Sequence, residues 1–108
     1  MEALDPPRFG LEAIPERSRV VLRISGELDM ASSPRMADAV RELWSTGWTA
    51  VGLDFADVAF VDSTGLGTLL ALLHDARSDA RDLTVSRSCP ALERLIALSR
   101  LEQHVPRG

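Results

Sequence analysis

Segment 58–67 constrains the fold more than any other part of the chain, because it joins an apolar run to a helix through a turn rich in hydroxyl groups. Its sequence is Val-Ala-Phe-Val-Asp-Ser-Thr-Gly-Leu-Gly. Leucines then recur at i, i+3, i+4 and i+7, which is typical of the apolar face of an amphipathic helix (Leu66, Leu69, Leu70 and Leu73). The spacing predicts a helix that begins at Ser63 and ends near Ser78, where Arg77 suits the helix dipole.

Ser63 is predicted to be the N-cap of this helix, because a serine hydroxyl there accepts hydrogen bonds from free backbone N–H groups. The N–H groups of Gly65 and Leu66, together with the helix dipole, would also stabilise a phosphate. Ser63 is therefore a candidate switch residue. The competing interpretation is a helix cap without further function, which is what most serines at helix starts are.

Short strands and amphipathic helices alternate along the whole chain. Strands are predicted over residues 9–14, 19–25, 50–55 and 82–86, with a possible last strand at 101–105. A helix with Ser33 as N-cap is predicted to stop at Gly47, and a further helix opens at Pro90. Residues 26–29 are predicted to form a turn. This alternation predicts an α/β fold with a mixed sheet of four or five strands packed with helices.

Length and charge limit the classes of protein to which the chain can belong. The 108 residues, 45% of them hydrophobic, suffice for one domain with a core, which we place at residues 9–108 after a flexible segment 1–8. The net charge is −4, and the twelve arginines are dispersed among 16 acids. We therefore expect no direct binding to nucleic acid or to a membrane surface.

The chain is expected to be cytoplasmic and to hold neither a metal ion nor another cofactor. No apolar stretch approaches the roughly 20 residues that span a bilayer. Residues 1–8 lack the basic start and apolar core of a signal peptide, and the single Cys89 cannot form an internal disulfide. His74, His104 and Cys89 are too far apart in sequence to form a local metal motif.

Three catalytic interpretations find little support in the sequence. A serine hydrolase needs a histidine beside Ser63, whereas His74 lies roughly 16 Å further along the same predicted helix. A nucleoside triphosphatase of the Walker type needs a lysine, and the chain has none. A receiver domain could use Asp54 after a strand, but the acidic pair and the lysine of receivers are missing. No catalytic residue is predicted.

The chain resembles the STAS domain, and within it the bacterial anti-sigma factor antagonists. The resemblance is carried by the strand that ends in Gly-Glu-Leu-Asp at 26–29, the helix at 36–44, and the Phe-Val-Asp-Ser-Thr-Gly-Leu-Gly run at 60–67. Residues 83–98 also resemble the closing strand and helix of the family. Cys89 departs from the serine that often precedes the proline, and the C-terminal part is short. The similarity spans nearly the whole chain.

The resemblance implies that Ser63 is a phosphorylation site, with Thr64 as the secondary hydroxyl. It implies an unphosphorylated form that binds an anti-sigma factor with serine kinase activity and thereby frees a sigma factor, and a serine phosphatase that restores this form. The predicted partner-binding residues are Asp29, Met30, Asp62, Ser63, Thr64 and Gly65. The alternative is a STAS scaffold in a lipid-transport or stress-sensing complex in which the serine is idle. The oligomeric state stays open.

Overall fold

Strands and helices alternate as predicted in a computed structural model that describes residues 8–108. The strands are β1 (Gly10–Pro15), β2 (Val20–Leu28), β3 (Ala50–Val61) and β4 (Asp82–Arg87). The helices are α1 (Ser33–Ser45), α2 (Ser63–Ser78) and α3 (Pro90–Leu98), and a 3-10 turn follows at Glu102–His104. Apart from residue 8, the N-terminal segment that was predicted to be flexible lies outside the described residues. None of the described helices is long and apolar enough to cross a bilayer.

The four strands form one mixed sheet in the order β1-β2-β3-β4, which confirms the predicted fold class. β1 is antiparallel to β2, whereas β2, β3 and β4 are mutually parallel. Helices α1 and α2 are the crossover connections between the parallel strands. As a result, β2 and β3 end at the same edge of the sheet, and the chain leaves that edge into α1 and α2.

One face of the sheet and the three helices enclose a single hydrophobic core. Of the apolar face predicted for α2, Leu66, Leu69 and Leu73 are buried and Leu70 is half-buried, and Met36, Val40 and Trp44 of α1 are buried as well. The strands contribute alternate residues to the same cluster: Val20, Leu22 and Ile24 from β2, Val51, Leu53 and Phe55 from β3, and Leu83 and Val85 from β4. This period of two is what a sheet covered on one face requires.

The opposite face of the sheet is polar and carries a buried carboxylate. Asp54 is only 3% exposed, and its Oδ1 accepts a hydrogen bond from the N–H of Ala56 at 2.9 Å. Its other oxygen lies 3.7 Å from Arg23 and 3.6 Å from Arg87. Asp54 therefore sits inside β3 between two guanidinium groups, far from the strand end where a receiver domain would place a phosphate-accepting aspartate.

The predicted turn at residues 26–29 is wrong, because β2 continues to Leu28. Gly26 has a φ of 91° and lies at an irregularity in the pairing of β2 with β3. A Cβ atom at this position would lie 2.5 Å from the carbonyl oxygen of Arg8. The glycine is therefore explained by a positive φ and by the close approach of the preceding chain, and it does not end the strand.

Two further predictions of element bounds need correction. β3 extends to Val61, six residues beyond its predicted end at Phe55, because its second half still pairs with β2. The possible strand at 101–105 is instead a 3-10 turn (Glu102–His104). Only Arg107, just after it, makes a parallel bridge to Val85 at the free edge of β4.

The start of α1 is shifted by one residue from the prediction. Ser32 occupies the N-cap position, and Ser33 is buried at the first helical position, where its Oγ has no hydrogen-bond partner in the structure. Ser32 instead uses its hydroxyl in the preceding loop, where it donates to the carbonyl oxygen of Glu27 at 2.6 Å. The predicted end is confirmed, since Gly47 follows the helix with a φ of 109°.

Candidate functional site

The ends of β2 and β3 bring together the six residues that were predicted to bind a partner. Leu28 and Val61 are directly paired across the two strands, and Asp29 and Asp62 are the residues that follow them. The N–H of Asp62 donates a hydrogen bond of 3.1 Å to the carbonyl oxygen of Leu28. Since neighbouring strands lie about 4.8 Å apart, Met30 and the first turn of α2 belong to the same surface. We call this surface the switch edge, defined by Asp29, Met30, Asp62, Ser63, Thr64 and Gly65.

Asp62 is the N-cap of α2, which corrects the prediction that Ser63 has this role. The backbone of Asp62 is extended, and its Oδ1 accepts a hydrogen bond from the N–H of Gly65 at 2.9 Å. Both Asp62 and Ser63 are residue types that cap helices well, so the choice depends on where β3 ends. Because β3 runs to Val61, the first residue with helical geometry is Ser63 and the cap falls on Asp62.

The Ser63 side chain is exposed at the first position of α2, and Thr64 beside it is exposed as well. Because Asp62 does the capping, the Ser63 hydroxyl makes no hydrogen bond within residues 8–108. It is therefore accessible from solvent and chemically free. This exposure is the condition that a serine must meet to serve as the substrate of a protein kinase.

The backbone donors at the start of α2 are not the ones predicted. The N–H of Gly65 is used by the Asp62 carboxylate, and the N–H of Leu66 donates to the carbonyl oxygen of Asp62 at 3.1 Å. Within the described chain, the first-turn N–H groups that no protein acceptor uses are those of Ser63 and Thr64. A phosphate on Ser63 would thus meet the N–H groups of Ser63 and Thr64 instead of those of Gly65 and Leu66, because Asp62 already uses the latter two.

Gly65 is required by the packing of α2 against the end of β2. A Cβ atom on Gly65 would lie 2.8 Å from the carbonyl oxygen of Leu28 and 3.0 Å from its Cγ. Gly65 is therefore buried in close contact with the end of β2, whereas Gly67 takes no part in close packing. Gly67 is exposed, and nothing lies within 4 Å of a Cβ atom built on it.

Asp29 organises the loop that leads from β2 into α1. Its Oδ1 accepts hydrogen bonds of 3.0 Å from the N–H groups of Ala31 and Ser32, and at 3.1 Å it shares the Ser32 hydroxyl proton with the carbonyl oxygen of Glu27. The N–H of Ser32 is the main reason that the pKa of Asp29 lies below its ordinary value, and the other two donors lower it further. Asp29 is half-buried and charged at neutral pH, so the switch edge carries two neighbouring carboxylates, those of Asp29 and Asp62.

Two exposed apolar side chains flank these acids. Met30, one of the predicted partner-binding residues, is 74% exposed in the loop before α1. Phe60 is 47% exposed two residues before Asp62 and pairs across the strands with Glu27. Phe60 was not predicted as a site residue, although the alternation of β3 gives a signal. Because Val61 faces the core, Phe60 faces outward beside the switch edge.

The residues considered for catalysis do not assemble into a site. His74 is exposed on α2, eleven positions after Ser63 on the same helix, and His104 is exposed in the 3-10 turn. Cys89 is buried in the core as the N-cap residue of α3. Residues 8–108 contain no group of three or more His, Cys, Asp or Glu side chains that could hold a metal ion.

The sequence of this chain matches the family model described as Mlab, STAS domain, over residues 15–106. The chain belongs to the STAS domain family. The match covers β2, β3, β4, the three helices and the whole switch edge, but only the last residue of β1. The resemblance seen in the sequence is therefore confirmed at the level of the family.

Two proteins that are 25% identical to this STAS domain are named anti-sigma factor antagonists. An anti-sigma-B factor antagonist of Staphylococcus epidermidis is 25% identical over 102 residues, which is 93% of this chain and 94% of that protein. The crystal structure of an anti-sigma factor antagonist from Mycobacterium paratuberculosis has a TM-score of 0.74 and 25% identity, over 99% of this chain and 89% of that one.

The fold is also that of the Bacillus protein SpoIIAA, an anti-sigma factor antagonist with structures in two forms. The unphosphorylated form has a TM-score of 0.72 over 94% of this chain and 88% of SpoIIAA. The phosphorylated form has a TM-score of 0.68 over 94% and 91%. The identity is 22% in both, so SpoIIAA shows the fold of this STAS domain and nothing further about its site.

Proposed function

We propose that this protein is a cytoplasmic anti-sigma factor antagonist that binds an anti-sigma factor with serine kinase activity while Ser63 is unphosphorylated. Phosphorylation of Ser63 by that kinase ends the binding, and a serine phosphatase restores it. The protein is the substrate of these enzymes and has no catalytic role of its own. The observation that carries the proposal is the free, exposed hydroxyl of Ser63 at the switch edge of a STAS domain.

The electrostatics of the switch edge support a change of binding on phosphorylation. A phosphate adds about −1.5 to −2 charges at neutral pH. It would be attached to the residue next to Asp62, on the strand edge that also carries Asp29. In a docked complex the phosphate, Asp62 and Asp29 would lie in one interface. If the partner surface fits the unmodified serine, placing the phosphate against it can cost several kcal/mol of binding free energy. A cost of about 3 kcal/mol weakens binding more than a hundredfold.

The hydrogen bonds around Ser63 favour blocking of the interface over refolding of the domain. The Asp62 cap and the bond from Asp62 to Leu28 use no atom of the Ser63 side chain. They can therefore persist when the hydroxyl carries a phosphate. The free N–H groups of Ser63 and Thr64 lie in the first turn of α2 and can offset part of the phosphate charge locally. The added group thus changes the surface while the fold stays in place.

The apolar side chains supply the attraction that the phosphate opposes. Met30 and Phe60 are exposed on either side of the acidic pair, and large exposed apolar residues rimmed by polar groups are typical of protein interfaces. A partner that buries both would bring its surface directly over Ser63. Thr64, also exposed, is the secondary acceptor because it lies one position further along the helix.

The proposal is tested with two baits made from the full chain. Tagged Ser63→Ala and Ser63→Asp proteins are incubated with a lysate of the native host, and the retained proteins are identified by mass spectrometry. We expect an anti-sigma factor with a serine kinase domain on the Ser63→Ala bait and its loss from the Ser63→Asp bait. The purified kinase and ATP should then place phosphate on Ser63 of the wild-type chain. Phosphate elsewhere than Ser63 or Thr64 would contradict the site assignment.

The alternative of a STAS scaffold without a serine switch gives a different result in the same experiment. Transporter subunits or stress-complex proteins would then be retained equally by both baits, and no kinase would be recovered. The Ser63→Asp substitution would leave the complex intact because the serine would have no regulatory role.

A further inference from the structure

A groove lies beside the middle of β1 and α1, away from the edge where β2 and β3 end. It has a volume of about 370 Å³. Leu11 and Ala13 of β1 form its floor, and Ala39 and Leu43 of α1 form its wall. Leu11 and Leu43 are only half-buried, and Ala13 is exposed, so this apolar surface is open to solvent.

The groove exists because the layer of helices ends before the sheet does. α1 packs against β2 and β3, α2 packs against β3 and β4, and α3 packs against β3, whereas the main contacts of β1 are with β2. β1 is an edge strand, so its helix-facing side is the part of the sheet that these helices cover least. The next helix position in this layer would lie over β1, beside α1. Within residues 8–108 no helix occupies it, and the groove has the location that such a helix would fill.

The rim of the groove on α1 is acidic. Asp38 and Glu42 both line it, and they stand four residues apart, so they project from the same side of the helix. Both are exposed, and neither takes part in an ion pair among the described residues. The nearby arginine of α1, Arg41, pairs instead with Asp75 of α2 at 3.2 Å. The groove therefore combines an apolar floor with two uncompensated carboxylates one helical turn apart.

We propose that this groove is a docking site for an amphipathic helix of a partner protein, with apolar residues facing Leu11 and Leu43 and two basic residues one turn apart facing Asp38 and Glu42. This site is separate from the switch edge, so its occupant and the partner at Ser63 can bind at the same time. Helix-in-groove recognition of this kind uses anchors at i, i+3, i+4 and i+7.

The charges and distances at the groove disfavour other occupants. An extended segment that paired with the free edge of β1 would lie in the plane of the sheet and leave the space above β1 unfilled. Residues 1–7 contain Glu2 and Asp5 and no basic residue, so their charge has the same sign as the rim. A second copy of the chain also carries a net charge of −4. A basic helix from another protein fits both the shape of the groove and the negative charge of its rim.

The test uses a synthetic helix as the probe. A peptide of about 18 residues, long enough for five turns, carries leucine and alanine on one face and two arginines at i and i+4 on its flank. A matched peptide has glutamates in place of the two arginines. Each is titrated into the full-length protein labelled with ¹⁵N, and affinity is measured by fluorescence anisotropy. We expect shifts of the Leu11, Ala39 and Leu43 amides and at least about tenfold weaker binding of the glutamate peptide.

Two pairs of variants locate the binding. Ala13→Lys fills the floor of the groove and should abolish binding, whereas Glu12→Lys lies on the opposite face of the same strand and should preserve it. Asp38→Lys combined with Glu42→Lys should reverse the preference between the two peptides. The matched control, Asp82→Lys combined with Glu102→Lys, changes the net charge equally at exposed positions outside the groove and should keep the preference.

Several results would overturn the proposal. The first is no binding of the arginine peptide, and the second is equal binding of both peptides. The third is a set of amide shifts that lies outside the groove or is confined to the outer edge of β1. Sedimentation of the protein alone as a dimer whose interface maps to Leu11 and Leu43 would assign the groove to a second copy instead. Ser63→Asp should not alter peptide binding, so failure at this groove is distinguishable from failure of the proposed switch. Circular dichroism of each variant checks that it is folded.

Discussion

The carboxylate of Asp62 accepts a hydrogen bond from the N–H of Gly65 at 2.9 Å, and this bond determines what Ser63 is free to do. The sequence alone predicts that Ser63 both caps α2 and presents a hydroxyl group for modification, whereas in the structure two adjacent residues have these roles. Asp62 stabilises the helix, and Ser63 presents an exposed hydroxyl. Because the helix does not depend on the serine, Ser63 can be modified without loss of the cap.

Removal of the Asp62 cap should destabilise the domain. Asp62→Ala leaves the N–H of Gly65 without its acceptor, and loss of an N-cap typically costs about 0.5–2 kcal/mol. For a domain of this size, 1 kcal/mol corresponds to a decrease in Tm of about 4–8 °C. Asp62→Asn retains a side-chain oxygen and should keep most of the stability in urea and thermal unfolding. Equal stability of Asp62→Ala and the wild type would contradict the assignment of the cap.

The two glycines of α2 should respond to alanine with opposite signs. Gly65→Ala places a methyl group 2.8 Å from the carbonyl oxygen of Leu28, so the helix start must shift, at a cost of about 1–3 kcal/mol. Gly67→Ala places its methyl group in open space on a helix and should stabilise the domain by roughly 0.5–1 kcal/mol. Chemical unfolding of both variants measures the difference. A change of the same sign in both would refute the packing described for Gly65.

Asp29 should make the stability of the domain depend on pH in the acid range. Folding lowers the pKa of Asp29 from its ordinary value of 3.8, so its contribution is fully present above that value and is lost as the pH falls through the lower, folded pKa. Asp29→Asn should therefore lose less stability than the wild type on acidification. Thermal unfolding at a series of pH values checks this, and identical acid dependence in the two proteins would contradict it.

The Ser32 hydroxyl provides a narrower check on the same carboxylate. In Ser32→Ala the hydroxyl bond to Asp29 is lost while the backbone N–H groups of Ala31 and Ser32 remain. The pKa of Asp29 should rise towards 3.8 without reaching it. An NMR titration of the side-chain carboxyl carbon follows this change. An unaltered pKa would mean that the hydroxyl does not act on Asp29.

Much of the fold could be predicted because hydrophobic spacing determines it. The leucine pattern placed α2 at its observed bounds, Ser63–Ser78, since a stripe of this length fits only a helix. The bounds of strands were less predictable. β2 passes through Gly26 at an irregularity that depends on the approach of Arg8, and β3 continues to Val61 because β2 is there to pair with it. Both causes are tertiary and have no local signal.

The residues of the candidate site were predicted from the sequence, but their individual hydrogen-bonding roles were predicted only in part. Asp29 and Ser63 were predicted to share a partner-binding surface through the resemblance to the antagonist family, and the parallel pairing of β2 with β3 gives the structural reason. The exchange of roles between Asp62 and Ser63 could not be predicted, because both residue types cap helices and the end of β3 decides between them. Phe60 was missed although the alternation of β3 places it on the opposite face from the buried Val61.

A negative charge at position 63 should weaken binding of the anti-sigma factor, whereas loss of the hydroxyl alone should not. We expect Ser63→Ala to bind within about threefold of the wild type and Ser63→Asp to bind at least about tenfold more weakly, since an aspartate carries less charge than a phosphate. Ser18→Asp adds the same charge in the exposed turn between β1 and β2, at the opposite edge of the sheet, and should bind as the wild type does. Equal affinities of all three variants in calorimetric titrations would exclude the charge mechanism.

The most direct test compares the affinity of the purified anti-sigma factor for the same chain with and without phosphate on Ser63, at equal salt concentration. We expect the phosphorylated chain to bind more than about a hundredfold more weakly, with an NMR spectrum that shows an unchanged fold outside the switch edge. Equal affinity of the two forms, or a spectrum in which the whole sheet rearranges, would contradict it.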